Sequence, residues 1–377
     1  MKTNQFDVLV VGGGLAGLCA AAHLAKEHLT VAVFEPKAYP RHKVCGEYIS
    51  KEVLPYLNFL GLDPFKLGAV DISRFEWTHP KGNSTQTQLP LGGFGLSRYA
   101  LEQALLELAL SYGVQLISES AEQLESVEEG VRLQTKLETY HGRAGIAAYG
   151  KRASLDKKLG REFINKKANF MAAKWHAIGD FPAELVALHN FPGGYCGVSK
   201  VEDDRVNFCF IATYDSFKQH KEINSFIQQV LTANPHLSKL LQESEMVFDK
   251  PLSIAQISFK DKPPVEGHWL MCGDTAGLIH PLSGNGMSMA IRSAELASKE
   301  ILAFVNNETS LRNMLVGYRR AWHSEFKKRL KIGRLAARVF GSPGLSQFAV
   351  NLFKVFPSLL PYFIKQTHGR LENPNAQ

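Results

Sequence analysis

The first 35 residues restrict this chain more than any other stretch. Phe6–Val11 is an unbroken apolar run, Gly12-Gly13-Gly14-Leu15-Ala16-Gly17 follows at once, Leu18–Ala25 is rich in Ala and Leu, and Thr30–Phe34 is a β-branched run ending in Glu35. Strand, glycine turn, helix and strand in this order make a β-α-β unit, which commits the chain to a parallel sheet. Each part has a physical task. Gly12 permits the tight turn, Gly14 lets a pyrophosphate reach the backbone, and Gly17 lets the helix pack closely on the sheet. The helix start at Leu15 and Ala16 offers N–H groups and positive potential to phosphates. Glu35, 18 positions beyond Gly17, is placed to accept hydrogen bonds from ribose hydroxyls.

With 377 residues, 45% of them apolar and 21% charged, the chain is long enough for two or three globular units and a buried cofactor site. Its formal charge of +7 is uneven: 12 Lys/Arg against Glu325 and Glu372 lie in residues 311–377, so the preceding 310 residues are slightly acidic. A basic surface confined to one end gives no support to a nucleic-acid partner. The five cysteines are scattered and include no C-x-x-C, which fits reduced thiols in a cytosolic protein and no metal cluster. The polar Met1–Asp7 shows no export signal, and Leu345–Ile364 is too interrupted to span a membrane. The expected location is cytoplasmic, with peripheral contact on the inner membrane face left open.

Further along, two textures alternate. Lys51–Leu62 reads as a helix, Arg74–Thr78 and Thr85–Leu89 as short strands, and Ser97 as the N-cap of a helix whose Leu101, Leu105 and Leu108 share one face. Strand-like pieces return at Leu185–Phe191, Val206–Ala212 and Ile254–Phe259, around a helical stretch at Ile223–Leu231. The expected α/β fold is a discontinuous dinucleotide domain (1–72, 97–165 and 265–310). A mainly antiparallel substrate domain (73–96 and 166–264) is inserted into it, and a basic helical segment (311–377) follows.

A second motif completes the pattern. The apolar His268–Met271 leads into Cys272-Gly273-Asp274, and then Pro281…Gly284-Asn285-Gly286-Met287 opens an Ala-rich helix through Phe304. Together with the N-terminal glycines and Glu35, these motifs resemble the FAD-dependent monooxygenase and geranylgeranyl-reductase superfamily over about residues 6–304. The resemblance implies a Rossmann-type FAD domain. It further implies that Asp274 bonds the ribityl chain, that Gly273, Pro281 and Gly284–Met287 lie against the flavin, and that Arg98 reaches the FAD phosphates or ribityl. Independently, a glycine-lined helix start stabilises negative charge that develops on a flavin on reduction.

The Arg41-His42-Lys43-Val44-Cys45-Gly46-Glu47 run resembles the reductase-branch loop. Arg41 and Lys43 are expected to balance flavin or pyrophosphate charge, and Cys45 to form a small wall of the substrate cavity. Tyr195, in Phe191-Pro192-Gly193-Gly194-Tyr195, is expected as a pocket wall, with a proton-donor role the weaker reading. His280 is either an acid/base or a structural imidazole. Departures from the family are equally visible. The reductases' Phe-Pro-Lys run and the halogenases' W-x-W-x-I-P motif are both missing, and Tyr149 in Ala148-Tyr149-Gly150 stands where monooxygenases carry Asp. No second glycine fingerprint occurs, so no separate nicotinamide domain is expected and the reductant is either transient NAD(P)H or another electron carrier, and no His spacing suggests a metal.

Three readings follow. The first is reduction of C=C bonds in a hydrophobic prenyl or lipid-type substrate. The second is NAD(P)H-dependent hydroxylation of an aromatic or polyketide ring, and the third an electron-transfer flavoprotein recruited to membranes by its tail. Within that tail Tyr318, Trp322, Phe326 and Leu330 recur every four residues. The stripe is expected to pack on the body, with an acyl-carrier protein or anionic lipid as the alternative partner.

Overall fold

A computed structural model describes residues 4–151, 153–165, 169–220, 222–279 and 284–369. The first sheet runs in the order Val265–Glu266, Trp269–Met271, Thr139–Ala147, Gln5–Val11, Val31–Phe34, Gln115–Ile117. Its last five strands are mutually parallel, as the opening β-α-β unit requires. The helix after the glycines, Leu15–Lys26, buries every residue from Leu15 to Ala25. It packs against the sheet and against the Arg98–Ser111 and Gly286–Val305 helices, and that enclosure explains why its sequence is apolar all round. Ser97 caps the Arg98–Ser111 helix by accepting from the Ala100 N–H at 3.0 Å.

The second sheet has nine strands, and all its pairings are antiparallel except that of Val70–Thr78 with Leu185–Phe191. Period-two alternation assigns its faces. Along Phe170–Ile178, Met171, Ala173, Trp175 and Ala177 join a core with Phe226, Ile227 and Leu237 from the Ile223–Val230 and Pro235–Gln242 helices. Ala172, Lys174 and His176 project to the other face, towards the first domain. Trp175 and Phe208 stack with centroids 5.3 Å apart.

Two boundaries differ from the expectation. Tyr48–Ser50, placed above in the dinucleotide domain, hydrogen-bonds to Ser84–Gly95 of the second sheet, and the next strand of that sheet already begins at Val70. A three-residue strand is too short to show any periodicity, so its allegiance is set by tertiary pairing. The basic segment folds into Leu311–Gly341, Pro343–Val355 and Leu359–Lys365 helices. Its stripe is buried on the body (Tyr318, Trp322, Phe326 and Leu330), and the Tyr318 hydroxyl donates to the Met271 carbonyl at 2.6 Å. The segment is more than an appendage, however. Phe340 stacks on Trp77 at 4.0 Å, and Val350, Phe353 and Leu360 complete a core over the second sheet. Among the described residues no helix is long and apolar enough to cross a membrane.

Candidate functional site

The C-terminal ends of the parallel strands, the inner face of the second sheet and the last three helices enclose a cavity of about 1230 Å3. At one end lies the glycine turn. Gly12 has φ +102°, and a Cβ there would sit 2.5 Å from the Ala148 carbonyl oxygen, while a Cβ on Gly17 would collide with the Gly12 carbonyl. Gly12 and Gly14 line the cavity with Leu15 and Ala16, whereas Gly17 stays behind it as packing. Glu35 holds this turn: it accepts from the Gly13 N–H at 3.2 Å and the Lys37 N–H at 3.1 Å, and pairs with Arg41 at 2.7 Å. Arg41 thus sits beside Glu35 and stacks on Tyr39.

Facing Gly14 are Arg98 and Lys43, joined by a residue that the motifs did not single out. Glu102 is buried and pairs with both cations, with Lys43 at 2.9 Å. Burial alone would raise its carboxyl, but Arg98 and then Lys43 hold it below the usual carboxylate range. Burial pushes the Lys43 amine down to about 8, with the Arg98 charge adding to the effect. The i,i+4 spacing of Arg98 and Glu102 on one helix was the available signal.

The second motif closes the same end. Gly273 has φ +58°, and its missing Cβ leaves room for Ala16 and Ala290 from the two helix starts. Lys262, also unforeseen, donates to the Asp274 and Lys151 carbonyls at 2.7 Å each and fixes the turn that carries the Asp274 side chain. Gly273, Asp274, Gly284, Gly286 and Met287 line the cavity, and Asn285 packs beside it. His280 and Pro281 lie outside the described residues.

These residues fit FAD. The Arg98 Nε is buried without a partner beside Gly14, where a phosphate oxygen would satisfy it. Gly12 and Gly17 admit no Cβ, a Cβ on Gly14 would point at the Arg98 and Lys43 side chains 3.6 Å away, and the volume exceeds the several hundred Å3 typical of a single drug-sized ligand.

Comparison with known proteins agrees. The family model "FAD dependent oxidoreductase" matches residues 7–43. The chain is 22% identical to conditioned medium factor receptor 1 of Dictyostelium discoideum over 85% of its length and 68% of that protein. It is 24% identical to digeranylgeranylglycerophospholipid reductase 1 of Methanopyrus kandleri, over 93% of this chain and 95% of the relative. The structure of the flavin-dependent brominase Bmp2 superposes with a TM-score of 0.79 at 17% identity, covering 98% of this chain and 96% of that one. The chain is an FAD-dependent oxidoreductase.

At the other end of the oxidoreductase's cavity the walls are apolar: Trp77, Leu188, Ile211, Phe340, Phe353 and Leu360. Cys45 lines the passage between the two ends and is half-buried. Tyr195 is fully enclosed, its ring edge-on to Phe340, and burial pushes its hydroxyl well above the usual phenol range. It therefore remains protonated at neutral pH. Tyr149, in place of the monooxygenase Asp, donates to Asp156 at 2.9 Å within a buried cluster around Arg161.

Beneath Cys45 the oxidoreductase buries a cluster missed in the sequence. Glu47 accepts from Lys174 at 2.8 Å, from the Arg98 N–H at 2.9 Å and pairs with His176 at 2.6 Å. Burial would raise the Glu47 carboxyl, but the His176 hydrogen bond and the Lys174 charge outweigh it and hold it low. His42 is also close, so donor atoms of His42, Glu47 and His176 lie within 4.8 Å of one another, a grouping the His spacing gave no hint of. Lys174 already supplies a positive charge to Glu47, which makes the cluster an ion pair that ties the Phe170–Ile178 strand to the loop before Tyr48 and to the start of the Arg98–Ser111 helix. Polar residues two apart in the otherwise apolar Phe170–Ile178 were its sequence signal.

Proposed function

We propose that this oxidoreductase saturates C=C bonds in a prenyl or other lipid-type substrate. The observation that carries the reading is that one cavity joins the glycine turn and Asp274 to a wall of Trp77, Phe340, Phe353 and Leu360. A long apolar chain would thread between them, gaining about 25 cal/mol for each Å2 of surface removed from water. The similarity to a digeranylgeranylglycerophospholipid reductase over nearly the whole of both chains supports the same class.

Bound FAD supplies hydride chemistry. The chain's own residues hold and orient the reactants. Gly12, Gly14, Lys43 and Arg98 take the phosphates, Glu35 the ribose and Asp274 the ribityl chain. Reduction adds a hydride to one alkene carbon and a proton to the other, and the neutral Tyr195 hydroxyl and the Cys45 thiol are protic groups on the cavity wall. The apolar walls keep water from the reacting bond. The reductant is NAD(P)H docking transiently, or a separate electron carrier.

Enzyme reduced with dithionite and mixed anaerobically with a geranylgeranyl lipid is expected to return to the oxidised flavin spectrum while the lipid gains two hydrogens by mass. Reoxidation only after O2 is admitted, with gain of one oxygen, would replace reduction by hydroxylation.

A further inference from the structure

Among the described residues, seven of the sixteen exposed large apolar side chains fall within residues 335–363. On the Pro343–Val355 helix and the residue after it, Leu345, Phe348, Val355 and Phe356 are 52%, 66%, 69% and 54% exposed, while Val350 and Phe353 of the same helix are buried against Trp77. The helix is therefore apolar on two faces, one turned to the core and one to the outside, whereas a helix at a protein–water boundary needs only the first. The outer face continues through Tyr362 and Phe363 of the last helix, 61% and 48% exposed. Lys331, Arg338, Lys354 and Lys365 stand exposed in the same three helices with no ion pair among the described residues. Leu335 and Phe363 are both exposed and cavity-lining, so the patch runs into the mouth of the substrate cavity.

We infer that the outer face of residues 335–363 docks on the surface of an anionic phospholipid bilayer and opens the cavity to it, so that substrate enters laterally from the membrane. Charge complementarity selects this occupant: exposed aromatics flanked by unpaired lysines and arginines match an acyl region beneath anionic headgroups. No helix among the described residues can span the bilayer, so the contact lies on it. The inference rests on the lipid-reductase reading for what enters, but not for the docking itself.

The full FAD-loaded chain is tested by flotation with vesicles of phosphatidylcholine and with vesicles containing about 30% phosphatidylglycerol. It is expected to float with the anionic vesicles and less so at high salt. The double variant Phe348→Glu/Val355→Glu, whose sites lie outside the cavity, should lose at least about tenfold in partitioning while keeping its flavin spectrum and its turnover of detergent-dispersed lipid. The exposed control Leu137→Glu should float like the parent. Equal flotation of the double variant would overturn the inference. So would failure of the parent to float, including the case in which it instead binds a holo-acyl-carrier protein. Flotation that depends on Phe348 and Val355 without any lipid reduction would leave the docking standing and remove the proposed reaction.

Discussion

The Asn285 side chain donates from Nδ2 to the Thr367 carbonyl at 2.6 Å, tying the start of the Gly286–Val305 helix at the cofactor end of the cavity to the end of the last helix. Glu52 and Arg329 form a second tie at 3.2 Å. The basic C-terminal segment is thus part of the site's construction. Deleting residues 342–377 would uncover Trp77 and take from Asn285 Nδ2 its acceptor, the Thr367 carbonyl, costing several kcal/mol in lost burial and unmet hydrogen bonding. The truncated chain is expected to melt at least about 5 °C lower and to emerge from gel filtration depleted of flavin. An unchanged melting temperature and visible spectrum would show the segment to be dispensable.

Gly17 and Gly46 form a matched pair for testing the turn. A Cβ on Gly17 would collide with the Gly12 carbonyl, while one on Gly46 meets nothing within 4 Å. Gly17→Ala should cost about 3 kcal/mol or more and abolish FAD retention, because helix and strand must part. Gly46→Ala should stay within about 0.5 kcal/mol. Denaturant titration with flavin absorbance separates the two; similar losses in both would remove the close-packing argument.

How much of this was legible follows from sequence distance. The β-α-β unit, Ser97 as a cap, Glu35 at a strand end and the Gly273-Asp274 turn are encoded within short windows, where periodicity and glycine stereochemistry act directly. The Glu47–Lys174 pair is separated by 127 positions, and no window contains both. Tyr48–Ser50 shows the same limit for strands. The stripe from Tyr318 to Leu330 was legible as an amphipathic face. That the following helices wall the cavity was not, because buried Val350 and Phe353 alternate with outward-facing Phe348 and Val355, so apolar residues on both faces of the helix leave no single stripe to read.

Glu47 is buried with Lys174 on one side and His176 on the other, so removing its charge alone strands a buried ammonium. Glu47→Gln is expected to destabilise the fold by roughly 3–5 kcal/mol. The double variant Glu47→Gln/Lys174→Met should recover much of that, since neither charge then remains. Urea unfolding of the two single variants and the double gives the coupling. Additive losses would show that the groups do not act as a pair.

Lys43 makes flavin binding pH-dependent in a direction that can be worked out. In the free protein burial lowers its amine to about 8, against an ordinary value near 10.5. A folded-state value below the unfolded one means that between about 8 and 10.5 the unfolded chain binds more protons, so this group's contribution to stability rises with pH across that window. Binding runs the other way. A pyrophosphate beside Gly14 favours the protonated amine, so above pH 8 binding takes up a proton and FAD affinity falls as pH rises, by at most about tenfold per pH unit. Flavin fluorescence titrations from pH 7 to 10 should show that decline in the parent chain and a flat profile in Lys43→Met, weak throughout. Lys43→Arg, charged at every pH in the range, should hold its affinity to the alkaline end. An equal decline in Lys43→Met would assign the titration to another group.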